Sequence, residues 1–514
     1  MNVSKPLQMF IVIILILGLA LTACTPSTPV VKPTQKPMDS PTPEPPPPTE
    51  ALPDNIHKIT ILYTNDEHGY MEGSVEGLGA AELVGLWQRE FGYAPDGPFL
   101  VLSGGDMWTG PAISTWFEGA SMVQVMNAMG YHAAVAGNHE FDFGLETLST
   151  NIDEMDFPIL SANVRYKSNG EIPTDIGIQP YTLVEVDEVT FGIIGLAYEG
   201  TPIVTRPSVV APFDFIDYED ALREIVPDVR AAGANLIVVP THVCSADVIA
   251  LAAAVADLDI VMFGGGHCHG PFALTTGDAV LLGGGGHLES FAYAQITYSD
   301  ETGDVTIDDY GMMQNRAGTP DPTVAEIIDE WAAEAEIILN QEIGYVGHTL
   351  RRDSPELNQF IAETWLWRFP MADVALTNTG GIRDDIREGP ITGEAVISAM
   401  PFDNTIVQIE ITGEQLVNTL NIREDAAYAG VKNISGRWVL TATDEEIDPD
   451  ATYTVLVNSF IYEGGDGYRI GDYDPDGHDT SVLYRQPTLD WIEAQGSSMV
   501  NPIDDEIDAL IGGE

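Results

Sequence analysis

From residue 56 to about residue 318 the chain alternates short apolar runs with helix-like stretches, and several runs end directly in a cluster of Asp, Asn or His. The runs are Ile59 to Tyr63, Phe99 to Leu102, Phe191 to Leu196, Leu236 to Pro240 and Ile260 to Phe263. Strand-length apolar runs separated by helical stretches predict an α/β core. Loops at the carboxyl ends of its strands converge on one rim, where such sheets bind ligands. TNDEHG follows the first run, SGGDMWTG the second, VVPTHVCS spans the end of the fourth, GGGHCHG follows the last, and GNHEFDFG at Gly137 to Gly144 is a fifth cluster.

Two divalent ions sharing a bridging water make a hydroxide nucleophile at neutral pH and neutralise the charge on a phosphoryl group undergoing in-line displacement. Such a site needs oxygen and imidazole ligands. Asp66, His68 and His269 would surround one ion and Asn138, His242 and His267 the other, with Asp106 bridging through its two oxygens. A mixed N and O set without thiolate suits two divalent ions such as Zn, Mn or Co rather than a structural Cys-rich zinc. Any one of these fragments alone is ordinary turn or cap chemistry. Five of them in this order, behind strand-like runs, point to a metal site.

At 514 residues the chain is too long for one compact core, and two domains are expected. The first would span 56–318. Pro322 to Gln341 then has the pattern of a helix, with Trp331, Ala335 and Ile338 on one side and acidic residues on the other, so 319–345 is expected to be a linker and hinge. Residues 346–496 carry their own strands, such as Thr405 to Ile411 and Tyr453 to Val457, and 497–514 would be a short acidic tail.

The N-terminus has a different composition. Lys5, the apolar run Phe10 to Ala20, and Leu21, Thr22, Ala23, Cys24 resemble a lipoprotein signal of residues 1–23 with Cys24 as the lipidated first residue. Residues 24–55 are mostly Pro and Thr and would form an extended tether between a membrane and an extracytoplasmic folded part. Against 79 acidic residues stand 21 basic ones, a net charge of −58, which excludes a nucleic-acid polymer as partner. Phosphate-bearing small molecules would need local positive charge, from metals or arginines, to approach such a surface. With Cys24 assigned, Cys244 and Cys268 remain, both beside histidines of the expected site. Two small buried thiols are the simpler expectation and a disulfide the sharper one.

With these clusters in place, and with FPILSANV at Phe157 to Val164, the chain resembles the calcineurin-like metallophosphoesterases, specifically the bacterial 5′-nucleotidase and UDP-sugar hydrolase family. NTGGIR (Asn378 to Arg383), MPFDN (Met400 to Asn404) and NSFIYEGGDGY (Asn458 to Tyr468) resemble the substrate-binding domain of the same family. The resemblance covers about residues 56 to 495. It implies an N-terminal four-layer β-sandwich flanked by helices, a linker helix, and a smaller C-terminal α/β nucleotide-specificity domain.

The resemblance also implies roles. His139 would be a catalytic histidine that is not a metal ligand, hydrogen-bonding the phosphoryl or leaving oxygen, and Asp142 would orient it and keep it charged. Phe402 and Phe460 would sandwich a base, Asp466 would accept ribose hydroxyls, and Asn378, Asn404 and Arg383 would contact base or phosphate-side groups. Arg352 would be a phosphate contact, although RRDSPELN has Leu357 where the family pattern has glycine. Aromatic faces hold any base and guanidinium suits phosphate, so the chemistry is sensible by itself. Read from residue type alone, Phe402 and Phe460 also fit a core and Asp466 a turn.

The expected activity is hydrolysis of nucleoside 5′-monophosphates, extending to pyrophosphate bonds of nucleotide sugars. A 2′,3′-cyclic-nucleotide phosphodiesterase or a thiosulfohydrolase would use the same metals. A lipid-anchored solute-binding protein would share the tether and two hinged domains but would need no His139–Asp142 pair. Oligomeric state is not legible from the sequence.

Overall fold

The computed structural model describes residues 55–75, 77–316, 318–423 and 426–512. The signal segment, Cys24 and the tether up to residue 54 lie outside the described residues. Among the described residues no helix is long and apolar enough to cross a membrane.

Two six-stranded sheets organise the chain up to Gln314. Each predicted run contains or overlaps a strand: Ile56–Thr64, Phe99–Ser103, Val189–Ile194, Leu236–Val239 and Met262–Gly264. In the first sheet Ile56–Thr64, Phe99–Ser103, Ala133–Val135 and Ile159–Leu160 run parallel, and Ser290–Ser299 and Val305–Gln314 complete it antiparallel. In the second sheet Val189–Ile194, Leu236–Val239, Met262–Gly264 and Ala279–Gly283 are parallel.

Strand alternation explains why the sheets stack. Ile59, Ile61 and Tyr63 of the first sheet share a core with Ile193, Val238 and Val280 of the second. Their neighbours point the other way: Leu62 and Val101 pack with the helix Ala80–Phe91, and Ile237, Val239 and Leu281 pack with the helix Tyr218–Ala231. Side chains on opposite faces therefore bury into different layers, giving helix, sheet, sheet, helix. This is the mixed α/β fold with a four-layer first part expected from the sequence.

The helix expected as a linker spans Pro322–Leu339, started by Asp321, whose carboxylate accepts the N–H groups of Thr323 and Val324, with Pro322 in the first turn. It lies against the sandwich rather than apart from it: Val324, Ile328, Ala335 and Leu339 join the core of the first sheet's helical layer, and Trp331 meets Phe117 with ring centroids 4.7 Å apart.

A five-stranded sheet follows, with Val374–Thr377, Thr405–Thr412 and Thr452–Asn458 at its centre. It too is covered on both faces, by one core around Phe360 and Trp365 and another around Leu416 and Tyr453. The stretch expected as an acidic tail carries the helix Asp504–Leu510. Ile503 and Ile507 are fully buried, and His348 sits between Asp504 at 2.7 Å and Glu356 at 2.9 Å, so apolar anchors hold this acidic segment on the body.

Candidate metal centre and adjoining cavity

The clusters singled out in the sequence meet at one rim. Asn65 to His68 follow strand Ile56–Thr64, Asp106 follows Phe99–Ser103, Asn138 and His139 follow Ala133–Val135, His242 follows Leu236–Val239, and His267 and His269 follow Met262–Gly264. All five strands point the same way within their sheets, so their carboxyl ends converge.

The side chains form groups close enough to hold a metal ion. His68 Nε2 stands 3.1 Å from His269 Nε2 and 3.9 Å from Asp66 Oδ1, and His269 Nε2 is 3.3 Å from Asp66 Oδ1. On the other side, Asp106 Oδ2 is 2.9 Å from His242 Nε2, and His267 Nδ1 is 3.0 Å from Asn138 Oδ1. Asp106 Oδ2 is also 4.0 Å from His68 Nε2, which places this carboxylate between the two groups. All seven expected ligands are brought together.

The donor set fits metal ions. Asp66 Oδ1 is buried with no hydrogen-bond partner, an arrangement that costs several kcal/mol unless something else satisfies it, and buried His242 Nε2 faces the Asp106 carboxylate at 2.9 Å. His68 Nδ1 donates to the Thr109 carbonyl at 2.8 Å and His242 Nδ1 to the Gly104 carbonyl at 2.8 Å. Those bonds fix the tautomer and leave each Nε2 lone pair facing inward, as metal-ligating histidines require.

Electrostatics agree. Burial raises Asp66 to about 7, even with His242 beside it. Burial works to raise Asp106 too, but His242 and His139 outweigh it and hold it well below the usual carboxylate range. Burial tends to lower His242, yet Asp106 and Asp66 carry it up to about 10. Asp106 thus holds a positive charge on His242 beside it, and a divalent ion bound there would take the place of that proton. Burial pushes His68 well down and takes His267 and His269 to about 4, keeping them neutral and able to ligate.

Local backbone conformation is unusual here. Asp66, His68, Asp106, His267, His269 and His287 all have φ between 48° and 66°, the left-handed region that costs non-glycine residues ~1–2 kcal/mol each. At Gly137 a Cβ would collide with the Asp106 carboxylate, so that position has to be glycine.

His139 begins a single turn of 3₁₀ helix, His139–Phe141, which places Asp142 one turn on. His139 Nδ1 lies 2.6 Å from Asp142 Oδ2, and the Thr205 hydroxyl donates to Asp142 Oδ1 at 3.1 Å. Burial works to lower His139, but Asp142 and Asp106 outweigh it and leave it raised.

A cavity of about 1070 Å³ opens from this rim. His68, Asp106, Asn138, His139, Asp142, His267 and His269 line one wall; Asp66 and His242 are fully buried and are not part of it. Arg352, Asn378, Arg383, Phe402, Asn404, Phe460 and Asp466, all seven of the residues expected to meet substrate, line the other. Asn378 Nδ2 donates to Asp466 Oδ2 at 2.9 Å, and Asn458 Nδ2 to Asn378 Oδ1 at 2.8 Å. Arg352 donates to the Arg383 carbonyl at 2.9 Å, and the Arg383 guanidinium lies 5.8 Å from the centre of the Phe402 ring. Phe402 also stacks on His139, with centroids 5.6 Å apart. The two walls therefore touch.

The family model described as 5′-nucleotidase, C-terminal domain, matches residues 340–472. A 5′-nucleotidase of Vibrio cholerae serotype O1 is 25% identical over 87% of this chain and 92% of its own length. The trifunctional nucleotide phosphoesterase protein YfkN of Bacillus subtilis is 27% identical over 81% of this chain, which spans about a third (32%) of that longer protein. Among solved structures, a 5′-nucleotidase precursor from Thermus thermophilus superposes with a TM-score of 0.71 at 24% identity, over 86% of this chain and 97% of that one.

Residues 340–472 match the 5′-nucleotidase C-terminal domain family, and the chain as a whole is similar to 5′-nucleotidases in sequence and in fold. Several residues at the rim escaped the sequence reading. Glu67 and Glu140 sit inside the motifs but are fully buried behind them. Glu140 accepts the N–H groups of Asp106 at 2.9 Å, Met107 at 2.7 Å and Gly137 at 2.7 Å, and so shapes the Asp106 loop. Glu67 accepts the hydroxyls of Thr64 at 2.5 Å and Ser103 at 3.0 Å, and burial raises it to about 8. His287 lines the cavity after strand Ala279–Gly283. Its signal was present: AVLLGGGGH repeats the pattern of IVMFGGGH, an apolar run, glycines, then histidine.

The two cysteines form a disulfide, with Cα atoms 5.3 Å apart, in place of the two thiols of the simpler expectation. Cys268 is exposed and Cys244 half-buried, so the pair does not behave as small core residues. The bridge ties the His242 loop to the His267–His269 loop.

Proposed function

We propose that this chain is a metal-dependent nucleotide phosphohydrolase of the 5′-nucleotidase type, anchored outside the cytoplasm through a lipidated Cys24. What carries the proposal is the single cavity that joins the candidate metal ligands to the residues expected to hold a nucleoside. Asp66, His68 and His269 would hold one divalent ion, Asn138, His242 and His267 a second, and Asp106 would serve both. When bound, such a pair supplies an activated water and neutralises phosphoryl charge.

The chain's own residues do the rest. Asp142, anchored by Thr205, keeps His139 oriented with its Nε2 free to donate to a phosphoryl or leaving oxygen. Phe402 lies between that histidine and the nucleoside wall, where it would cover a base with Phe460. Asp466 and Asn378, already hydrogen-bonded to one another, would present acceptors and donors to a ribose and base. Arg206, Arg352, Arg383 and Arg423 line the same cavity together with five aspartates, so the cavity holds four of the chain's 21 basic residues and is far less acidic than a chain of net −58 as a whole. A volume of about 1070 Å³ exceeds the usual range for a compact ligand and leaves room for a second group, such as the sugar of a nucleotide sugar.

Residues 56–318 and 346–496 would act as two domains hinged through 319–345, turning substrate toward the metals. Crosslinking them through engineered cysteines should then slow turnover, and unchanged turnover would remove the hinge.

Phosphate release from nucleoside mono-, di- and triphosphates, nucleotide sugars and cyclic nucleotides, with Zn, Mn and Co in turn, tests the activity. Release from monophosphates is the expected result. Tight nucleotide binding with no release under any metal would favour a solute-binding protein instead, and release from cyclic substrates alone a phosphodiesterase. Fatty-acid labelling that survives Cys24→Ser would sink the anchor.

A further inference from the structure

The expected ligand set leaves one imidazole of the rim unused. His287 follows strand Ala279–Gly283, which runs parallel to Met262–Gly264, so it emerges from a sixth strand end beside the five already described. Its backbone N–H donates to the Asp66 carbonyl at 2.8 Å, fastening its loop to the DEH loop. Its φ of 55° puts it in the same left-handed conformation as Asp66, His68, Asp106, His267 and His269.

The position of the ring is more telling. The centroids of His68, His269 and His287 form a triangle with sides of 4.9, 5.2 and 5.6 Å. An imidazole bound at ~2.0–2.1 Å places its centroid ~3.2 Å from the ion, and rings at tetrahedral angles then stand ~5.2 Å apart. One nitrogen from each ring lies within 4.8 Å of the others. Tyr70 stacks on His287 at 4.1 Å and 27°, as Tyr198 stacks on His267 at 4.2 Å and 28°, so both rings are held from behind by a tyrosine.

We propose that His287 is a further protein ligand of the ion held by Asp66, His68 and His269. It rests on the metal reading of the site given above. The first ion then has three imidazoles and the Asp66 carboxylate in addition to the shared Asp106. A nitrogen-rich set of this kind favours Zn or Co over Mg or Ca. The second ion, with Asn138, His242 and His267, keeps the more mixed environment.

The test is Co titration of the full mature protein by calorimetry, together with visible absorption of the Co-loaded form. Wild type should take two ions per chain. His287→Ala should weaken one of them by ~10–100-fold and change its absorption band while leaving the other as in wild type. His287→Gln is a second variant should the alanine form fail to fold, and it should show the same single-site weakening. Two unaltered affinities and an unaltered spectrum in a folded variant would overturn the proposal. If that variant also raised KM for a nucleotide, His287 would instead be a phosphate contact. A wild-type protein that binds no divalent ion would bring down the metal reading itself, and His287's role with it.

Discussion

On the sandwich side of the cavity Asp66, His68, Asp106, Asn138, His139 and His242 are buried while Asp142, His267, His269 and His287 are half-buried; six of these residues sit in left-handed backbone, and Glu67 and Glu140 are buried behind them. On the side built from the C-terminal sheet Asn378 and Asn404 are buried, but Arg352 is exposed and Arg383, Phe402, Phe460 and Asp466 are half-buried. The first wall is the more firmly fixed, which would suit the proposed task of holding ions and orienting one histidine. The second offers aromatic faces and a few amides, which tolerate different bases. Chemistry is thus constrained more tightly than substrate choice.

Substitutions on the two walls should differ in kind as well as size. Asp106→Asn, which weakens the carboxylate between both ligand groups, should cost several kcal/mol of transition-state stabilisation, at least ~10³-fold in phosphate release, and lower metal content by elemental analysis. Retention of both ions at full turnover would break the contrast at its strongest point. His139→Asn should lower kcat by ~10²–10⁴-fold while the ions stay bound. Loss of the ions instead would make His139 a ligand.

Between the walls in effect is the disulfide. Replacing Cys244 and Cys268 by serine should reduce stability by about 3 kcal/mol in denaturant unfolding, because the bridge closes a loop across a sequence separation of 24. An unchanged midpoint would mean that packing alone holds the two histidine loops together.

On the nucleoside wall, Phe460→Ala should raise KM for nucleotides by an amount worth ~1–3 kcal/mol and leave hydrolysis of a phosphate ester without a base unchanged. Phe402→Ala should affect both, because that ring also stacks on His139. Equal behaviour of the two phenylalanines would blur the boundary between the walls.

The smallest effect lies far from the cavity, at the helix Asp504–Leu510. His348 is raised by its hydrogen bonds to Asp504, the larger influence, and Glu356, against the opposing pull of burial. A histidine raised on folding contributes fully below its unfolded value of ~6.5 and loses that contribution as pH rises through the folded value. Asp504 is lowered: burial opposes this, and the Gly347 N–H and His348 outweigh it. Its share is present above ~3.9 and disappears as pH falls through the folded value. Thermal melts should therefore show the clamp complete between about pH 4 and 6.5 and weakening above, by less than ~1 kcal/mol for so exposed a pair, and His348→Ala should flatten that slope.

The sandwich was legible because strand-length apolar runs and the polar clusters behind them are local patterns, and topology does the rest by bringing parallel strand ends to one rim. Phe402 and Phe460 were reached only through motif resemblance, since an isolated aromatic carries no local mark of whether it faces a core or a ligand. Glu67 and Glu140 were missed for the opposite reason: they lie within the motifs, but their work is done through backbone N–H groups and hydroxyls that only the folded loops bring near. The docked C-terminal helix was hidden by its charge, because two buried isoleucines in an acidic stretch outweigh its composition.

The six left-handed residues of the rim also set a limit on improving this protein. Glycine at His269, say, would relax the backbone by ~1–2 kcal/mol and remove a ligand in the same step. Stability and turnover pull in opposite directions at each such position, so a screen that rewards only a higher melting temperature would steer the rim toward an inert protein.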